Sequence, residues 1–370
     1  MTDPVKYKEM LAKLCGREIR IMEVCGTHTM AIAKSGIKNI MPENIKLISG
    51  PGCPVCVTDQ QDIDMILELS AEEDIIIATY GDMLRVPGSA KGDSLLKRKA
   101  EGARVEVVYS PVDAVETALR NPEKRVVFIG VGFETTAPGT AAAVLYADEK
   151  KADNFFVLSL MKRVEPALRA LIVRPDFNID GFLCPGHVAT VTGAKAFEFL
   201  PGEFGLPAAV SGFEAEDILL SVFDIVRQIA EDNPHVYNEY TRAVAYEGNE
   251  TAVSVMNGVF EPSDAEWRGL GLIPGSGFAL KEEYRRFDIM NELAPDELES
   301  VRERVGLNKM RSPLTNSCVC GDVICGIINP LKCKMFGKVC TPINPLGPCM
   351  VSSEGSCAAA YKYRGADSYA

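Results

Sequence analysis

The sequence predicts an α/β protein with two similar parallel-sheet domains facing a cleft and a third, mainly helical, cysteine-rich domain. Three observations carry that expectation. Short apolar, β-rich runs recur along the chain, separated by helix-like stretches, as in parallel sheets covered on both faces. Each run ends in a small, polar turn, most of them rich in glycine. Seven of the twelve cysteines fall after residue 317.

Residues 4–15 alternate charged and apolar groups at helical spacing, which predicts a short amphipathic helix. Strand-like runs follow at 19–24, 46–49, 75–79 and 105–109. A second series occupies 126–129, 155–158, 181–183 and 208–210. Residues 60–69, 137–147 and 215–230 read as helices between them. Two series of four strands suggest a duplication, with a first domain at 17–120 and a second at 121–260. Beyond 260 the texture changes. Residues 267–277 are glycine-rich and read as a loop, helices are expected around 281–287 and 295–305, and a cysteine tail with many prolines follows. This third domain, 261–370, is expected to have the N-terminal helix, 1–16, packed nearby.

Composition narrows the function. The chain has 370 residues, 47% of them hydrophobic, enough for a large core and more than one domain. No apolar run reaches 18 residues, so no membrane span is expected. The charged N-terminus lacks the apolar core of a signal peptide. A cytoplasmic protein follows, and there clustered cysteines point to metal or redox chemistry before structural disulfides. The net charge of −12 is spread among interleaved acids and bases, so neither nucleic acid nor membrane is an expected partner.

The turns hold the candidate chemistry, because open α/β sheets bind ligands at the carboxyl ends of their strands. In the first series the turns include Cys25-Gly-Thr-His28 and Gly50-Pro-Gly-Cys53-Pro-Val-Cys56. In the second they include Gly132-Phe-Glu134-Thr135-Thr136 and Pro185-Gly-His187. A thiolate is both nucleophile and metal ligand, and an imidazole beside it lowers its pKa. Cys25 and His28 suit that role, against the plainer reading of a buried structural cysteine. Cys53 and Cys56 form a Cys-x-x-Cys at a helix start, where the helix dipole favours thiolates. Such a pair cycles between dithiol and disulfide or chelates a metal. Together Cys25, His28, Cys53 and Cys56 would suit one soft ion. Glu134, Thr135 and Thr136 open a small-residue helix and fit an anion or a small ligand, or Glu134 is a helix cap. His187 reads as a supporting donor or acid/base, or as structural. Asp82 and Glu214 are weaker candidates.

The tail spaces four cysteines as Cys318-x14-Cys333-x6-Cys340-x16-Cys357. Structural zinc sites usually use close cysteine pairs at Cys-x2–4-Cys spacing, and this wide spacing instead suits a [4Fe–4S] cluster in a folded pocket. Zinc and disulfides remain the alternatives. Cys320, Cys325 and Cys349 are surplus to four ligands and are candidates for a disulfide.

These five motifs, in this order and over essentially the whole chain, resemble the HypD family of [NiFe]-hydrogenase maturation proteins. The resemblance implies a scaffold for assembling the Fe(CN)2CO group. Iron would be held at Cys25, Cys53 and Cys56, with His28 tuning the site and Glu134, Thr135, Thr136 and His187 lining the opposite side of the cleft. It implies a [4Fe–4S] cluster on Cys318, Cys333, Cys340 and Cys357 that supplies electrons, with Cys320 competing with Cys318 as a ligand. It implies HypC as the partner that shares the iron and HypE as the source of cyanide. HypF and the hydrogenase large subunit are implied as indirect partners. A second reading is an iron–sulfur thiol–disulfide oxidoreductase acting through Cys53 and Cys56. A third is a Cys25/His28 acyl- or carbamoyl-transferase.

Overall fold

In the computed structural model, which describes residues 4–14, 16–311 and 318–363, every expected strand forms and three more join them. The strands are β1 (Ile19–Glu23), β2 (Ile45–Ser49), β3 (Ile75–Thr79), β4 (Val105–Val107), β5 (Arg125–Gly130), β6 (Phe155–Ser159), β7 (Gly181–Pro185), β8 (Ala208–Ser211), β9 (Val236–Asn238), β10 (Phe260–Trp267) and β11 (Gly271–Leu280). The helices expected at 60–69, 137–147 and 215–230 appear as Gln60–Leu69, Ala137–Lys150 and Ala215–Glu231.

The strands build two parallel sheets and one antiparallel hairpin. The first sheet runs β2-β1-β7-β8-β9 and the second β4-β3-β5-β6. This corrects the division at residue 120. Strands β1 and β2 share a sheet with β7 and β8, and the whole second sheet is inserted between β2 and β7. The duplication survives in another form. Each sheet has two strands in reversed order and then two in forward order, 2-1-7-8 and 4-3-5-6. The strand order therefore switches direction between β1 and β7 in one sheet and between β3 and β5 in the other. Such points open crevices at the carboxyl ends of the strands.

Side-chain alternation along the strands sorts the core. Ile75, Ile77, Val127, Ile129, Phe156 and Leu158 of the second sheet face one interior together with Met22, Val24, Phe182, Cys184 and Val210 of the first. Cys320, Cys325, Cys340, Cys349 and Cys357 lie in the same core. The opposite faces are covered separately. Ile76, Ala78, Val126 and Phe128 pack under Ala141, Val144 and Phe278. Ile19, Ile21, Leu183 and Ala209 pack under Ile218, Val222 and Val226.

Two other expectations are corrected. The N-terminal helix, Pro4–Leu14, buries Tyr7 and Leu11 in the outer core of the first sheet. Its Tyr7 hydroxyl donates to Leu219 O at 2.7 Å, so it belongs to that sheet and not to the C-terminal segment. The glycine-rich stretch after Trp267 forms β11, paired antiparallel with β10 with a register irregularity between Ser263 and Ala265, because glycines lacking side chains still carry the backbone donors and acceptors a ladder needs. The helix expected at 295–305 forms as Pro295–Arg311, the one expected at 281–287 is the 3₁₀ helix Glu282–Phe287, and an unexpected short helix, Ile289–Glu292, lies between them.

Candidate functional site

The switch point of the first sheet is made by the turns after β1, β2, β7 and β8. Cys25 caps the helix Gly26–Lys34 in an extended conformation, which sets its thiol at the helix start. The β2 turn lies directly against it. Gly26 N donates to Gly52 O at 3.0 Å, and a Cβ on Gly52 would stand 2.2 Å from Cys25 N. Only glycine permits this approach, and the approach is what brings the two thiol motifs together. Cys53 caps the next helix, Pro54–Val57, and is disulfide-bonded to Cys56. Both sulfurs are buried. Burial pushes the Cys25 thiol up to about 12, and the nearby Glu354 carboxyl adds to the rise.

His28 is fully buried. Its Nε2 lies 3.2 Å from Ser211 O and 2.9 Å from Gly212 O. Both are acceptors, so Nε2 bears the proton. Nδ1 is left as a buried lone pair with no hydrogen-bond partner. Burial lowers the His28 pKa to about 4, and the ring is neutral at neutral pH. Phe213 stands between two imidazoles, 4.8 Å from His28 and 4.0 Å from the exposed His187. The Pro185–His187 turn therefore adjoins the Cys25 turn on the same sheet, and the expectation that it lies across the cleft is corrected.

The second sheet presents Asp82 after β3 and Gly132–Thr136 after β5. A Cβ on Gly132 would lie 1.6 Å from Thr136 Oγ1, and Thr136 Oγ1 donates to Phe133 O. Thr135 is half-buried. Glu134 is a cap after all, though of the helix Val164–Ile172 and not of its own. Its Oε1 accepts from Val164 N at 2.9 Å. Its Oε2 is buried with no partner, and burial raises the carboxyl to about 7. Glu134 lines a cavity of about 230 Å³ together with Val188, Thr192, Met256 and Phe278. Val188 and Thr192 lie on the helix Gly186–Thr192, which starts at the His187 turn. This helix joins the two switch-point regions. The weaker candidate Glu214 caps the helix Ala215–Glu231 in a capping box with Asp217, a structural role.

The C-terminal segment closes over both switch points. Asp82 accepts from Ser353 N and Ser353 Oγ at 2.8 and 2.7 Å. Ser352 Oγ lies 3.3 Å from Asp82 Oδ2 and 3.3 Å from Cys53 Sγ. Thr27 Oγ1 donates to Glu354 Oε1 at 2.7 Å. The segment's thiols gather around Gly347, where a Cβ would be 2.6 Å from Cys318 Sγ and 3.3 Å from Cys320 Sγ. Cys318 is hydrogen-bonded to Cys320, and Cys349 to Cys357. In each pair the shared proton holds one thiol high, Cys318 or Cys357, and the other low. Cys340 interacts electrostatically with Cys318, Cys333 and Cys349.

Cys320 and Cys349, surplus by spacing, thus lie within the cluster. Cys325 lies apart, with its thiol donating to Gly269 O. All three are free thiols, so none forms the disulfide their surplus suggested. Among the described residues no three metal-ligating side chains surround a common point. Six gathered thiols nonetheless match the donor chemistry of an iron–sulfur cluster. At the first sheet, Cys53 and Cys56 are bonded to each other and His28 Nε2 faces carbonyls. The four expected ligands therefore adjoin without converging.

Glu23, Phe213, Ser352 and Glu354 were not singled out from the sequence. Glu23 had a signal, an acid at the end of an apolar strand two residues before Cys25. Its carboxylate accepts from Thr29 Oγ1 at 2.6 Å. Burial raises it from 4.5 to about 8, partly offset by the Thr29 and Ser49 hydroxyls. The folded protein therefore holds a proton that the unfolded chain releases, so this group's contribution to stability falls as pH rises from 4.5 to about 8. His28 opposes it only below its ordinary value of 6.5. Between pH 6.5 and 8 the melting temperature is expected to fall, and Glu23→Gln is expected to flatten that fall. Equal slopes for the two proteins in thermal melts would contradict this.

Two like-ordered parallel sheets, one inserted in the other, with a cysteine-rich segment across both switch points, define a thiol-centred α/β protein. Residues 5–364 match the family described as "HypD: Hydrogenase formation hypA family", and the chain belongs to the HypD family. It is 43% identical over 358 residues to the hydrogenase maturation factor HypD of Escherichia coli, covering 96% of this chain and 91% of that protein. The HypD of Cupriavidus necator is 41% identical over 355 residues, 94% and 90% of the two chains. That of Rhodobacter capsulatus is 39% identical over 377 residues, 98% and 97%. Among the described residues no helix is long and apolar enough to cross a membrane.

Proposed function

We propose that this chain serves hydrogenase maturation as the scaffold on which the Fe(CN)2CO group is assembled, with the iron unit as its cargo. The family it belongs to has a role in hydrogenase maturation. The observation that carries the finer reading is the junction at Gly52. It sets Cys25 against the Cys53–Cys56 disulfide beneath a segment that also bears six gathered thiols.

In this reading Cys25 is the thiolate that takes the iron, and Cys53 and Cys56 join it once reduced. Reduction takes two electrons and two protons and breaks one S–S bond to give two thiols. Cys318, Cys333, Cys340 and Cys357 would hold a [4Fe–4S] cluster, with Cys320 and Cys349 close by. When bound, that cluster supplies electrons one at a time. Ser352, between Asp82 and Cys53 Sγ, is placed to pass a proton to the departing thiolate. The neutral His28 offers its Nδ1 lone pair to a proton or to the iron. Because Glu354 covers Cys25, loading requires the 352–354 loop to lift. HypC is the proposed partner sharing the iron, with HypE delivering cyanide made through HypF and the hydrogenase large subunit receiving the product.

The thiol–disulfide oxidoreductase reading requires a protein substrate to reach the Cys53–Cys56 bond. Both sulfurs are buried under the C-terminal segment, which favours an internal electron donor over an external protein. Metal analysis after anaerobic purification with HypC separates the two readings. The scaffold predicts about five irons per chain, and the oxidoreductase about four, taking a [4Fe–4S] cluster in both.

A further inference from the structure

The turn between β10 and β11 touches both thiol stations through three consecutive residues. Trp267 pairs with Thr58, just past the helix that bears Cys53 and Cys56. Arg268 N donates to Val57 O at 2.9 Å. Its guanidinium donates from Nε to Thr58 O at 3.0 Å and from Nη1 to Gln60 Oε1 at 3.2 Å. On the other side the turn presses on the helix Cys320–Ile324. Gly269 has φ +83°, and a Cβ there would stand 2.7 Å from Gly321 Cα. Cys325 Sγ donates to Gly269 O.

The guanidinium is tied on one edge only. Its Nη2 is buried with no hydrogen-bond partner. A buried, unsatisfied donor on a cation is costly, so the position calls for an anion. Asp62 also feels the Arg268 charge, but Lys162 shares that carboxylate at 4.0 Å. The Arg268 charge also bears on the thiols of Cys318 and Cys320.

We propose that Arg268 is a positioning residue for electron transfer, its charge held for the anionic C-terminal thiol centre while its other edge grips the end of the Cys53–Cys56 helix. It stabilises the more negative, reduced state of whatever those thiols bind, and it fixes that centre against the disulfide. A planar fork with five donors suits a group tied to two carbonyl-type acceptors while facing sulfur anions. This inference rests on the reading that the C-terminal cysteines carry an iron–sulfur cluster.

The test is a potentiometric titration, followed by electron paramagnetic resonance, of the anaerobically reconstituted full chain as wild type, Arg268→Gln and Arg268→Lys. Removing a nearby positive charge disfavours the reduced state. Arg268→Gln is expected to lower the midpoint by about tenfold in the one-electron equilibrium, which is about 59 mV, and Arg268→Lys by clearly less. Cluster uptake by Arg268→Lys but not by Arg268→Gln also supports the charge role. Identical potentials in all three proteins, equal shifts in both variants, or loss of uptake in both would overturn it. If the wild type itself takes up no cluster, the underlying reading fails instead.

Discussion

Replacing Cys25 by alanine is expected to abolish maturation while leaving the fold intact. In a host lacking its own HypD, hydrogenase activity supported by Cys25→Ala should fall by more than about a hundredfold, since even outer partners of a metal are worth about ten- to a hundredfold. The structural cost is small. Cys25 is a small buried side chain at a helix cap without a side-chain capping hydrogen bond, and its loss should cost about 1 kcal/mol. The melting temperature should therefore stay close to that of the wild type. Substantial residual activity would remove Cys25 from the centre of the mechanism. A collapsed melting temperature would mean that its role is packing.

The second large effect is expected at Gly52. A methyl group there meets the backbone N and Cα of Cys25 at 2.2 and 2.4 Å. No flexible side chain can yield, so one of the two turns must move. Overpacking of this kind costs about 3 kcal/mol, and Gly52→Ala should lower the melting temperature by several degrees. It should also pull the Cys25 and Cys53 turns apart and impair maturation. Gly139 provides the control, because a Cβ there meets nothing within 4 Å and it lies in the helix Ala137–Lys150. Gly139→Ala should be neutral or stabilising by up to about 1 kcal/mol. If Gly52→Ala behaved like Gly139→Ala, the tight junction of the two thiol motifs would not exist in solution.

The contrast between those two glycines also shows what a sequence can tell. The sequence reads Gly52 as part of a turn and Gly139 as part of a helix, but only long-range geometry shows which of them has room for a methyl group. The strands were legible because runs such as 75–78 and 126–129 are apolar throughout and bounded by polar or turn residues. Their partners were not legible. Strand β1 pairs with β7, more than a hundred residues away, and nothing local in Ile19–Glu23 encodes that choice. The same blindness placed His187 across the cleft, when β7 carries it next to His28. Strands β9 and β10–β11 escaped for local reasons. The first is only three residues long, and Gly271, Gly275 and Gly277 mask the pattern of the last. Cysteine spacing identified a thiol centre, but its membership depended on the fold. Cys320 and Cys349 lie inside the gathering while Cys325 turns towards Gly269. Arg268 gave no signal, since its partners are the Thr58 carbonyl, the Gln60 side chain and a pair of thiols, all far away in sequence.

The central claim is that Cys25 and the Cys53–Cys56 pair together form the station that holds the iron cargo. The most direct measurement is an infrared spectrum of the anaerobically purified complex with HypC, recorded for the wild type and for Cys25→Ala. The account predicts CN and CO stretching bands in the wild-type complex and their loss in the variant. Bands of full intensity in Cys25→Ala, or none in the iron-loaded wild-type complex, would contradict it.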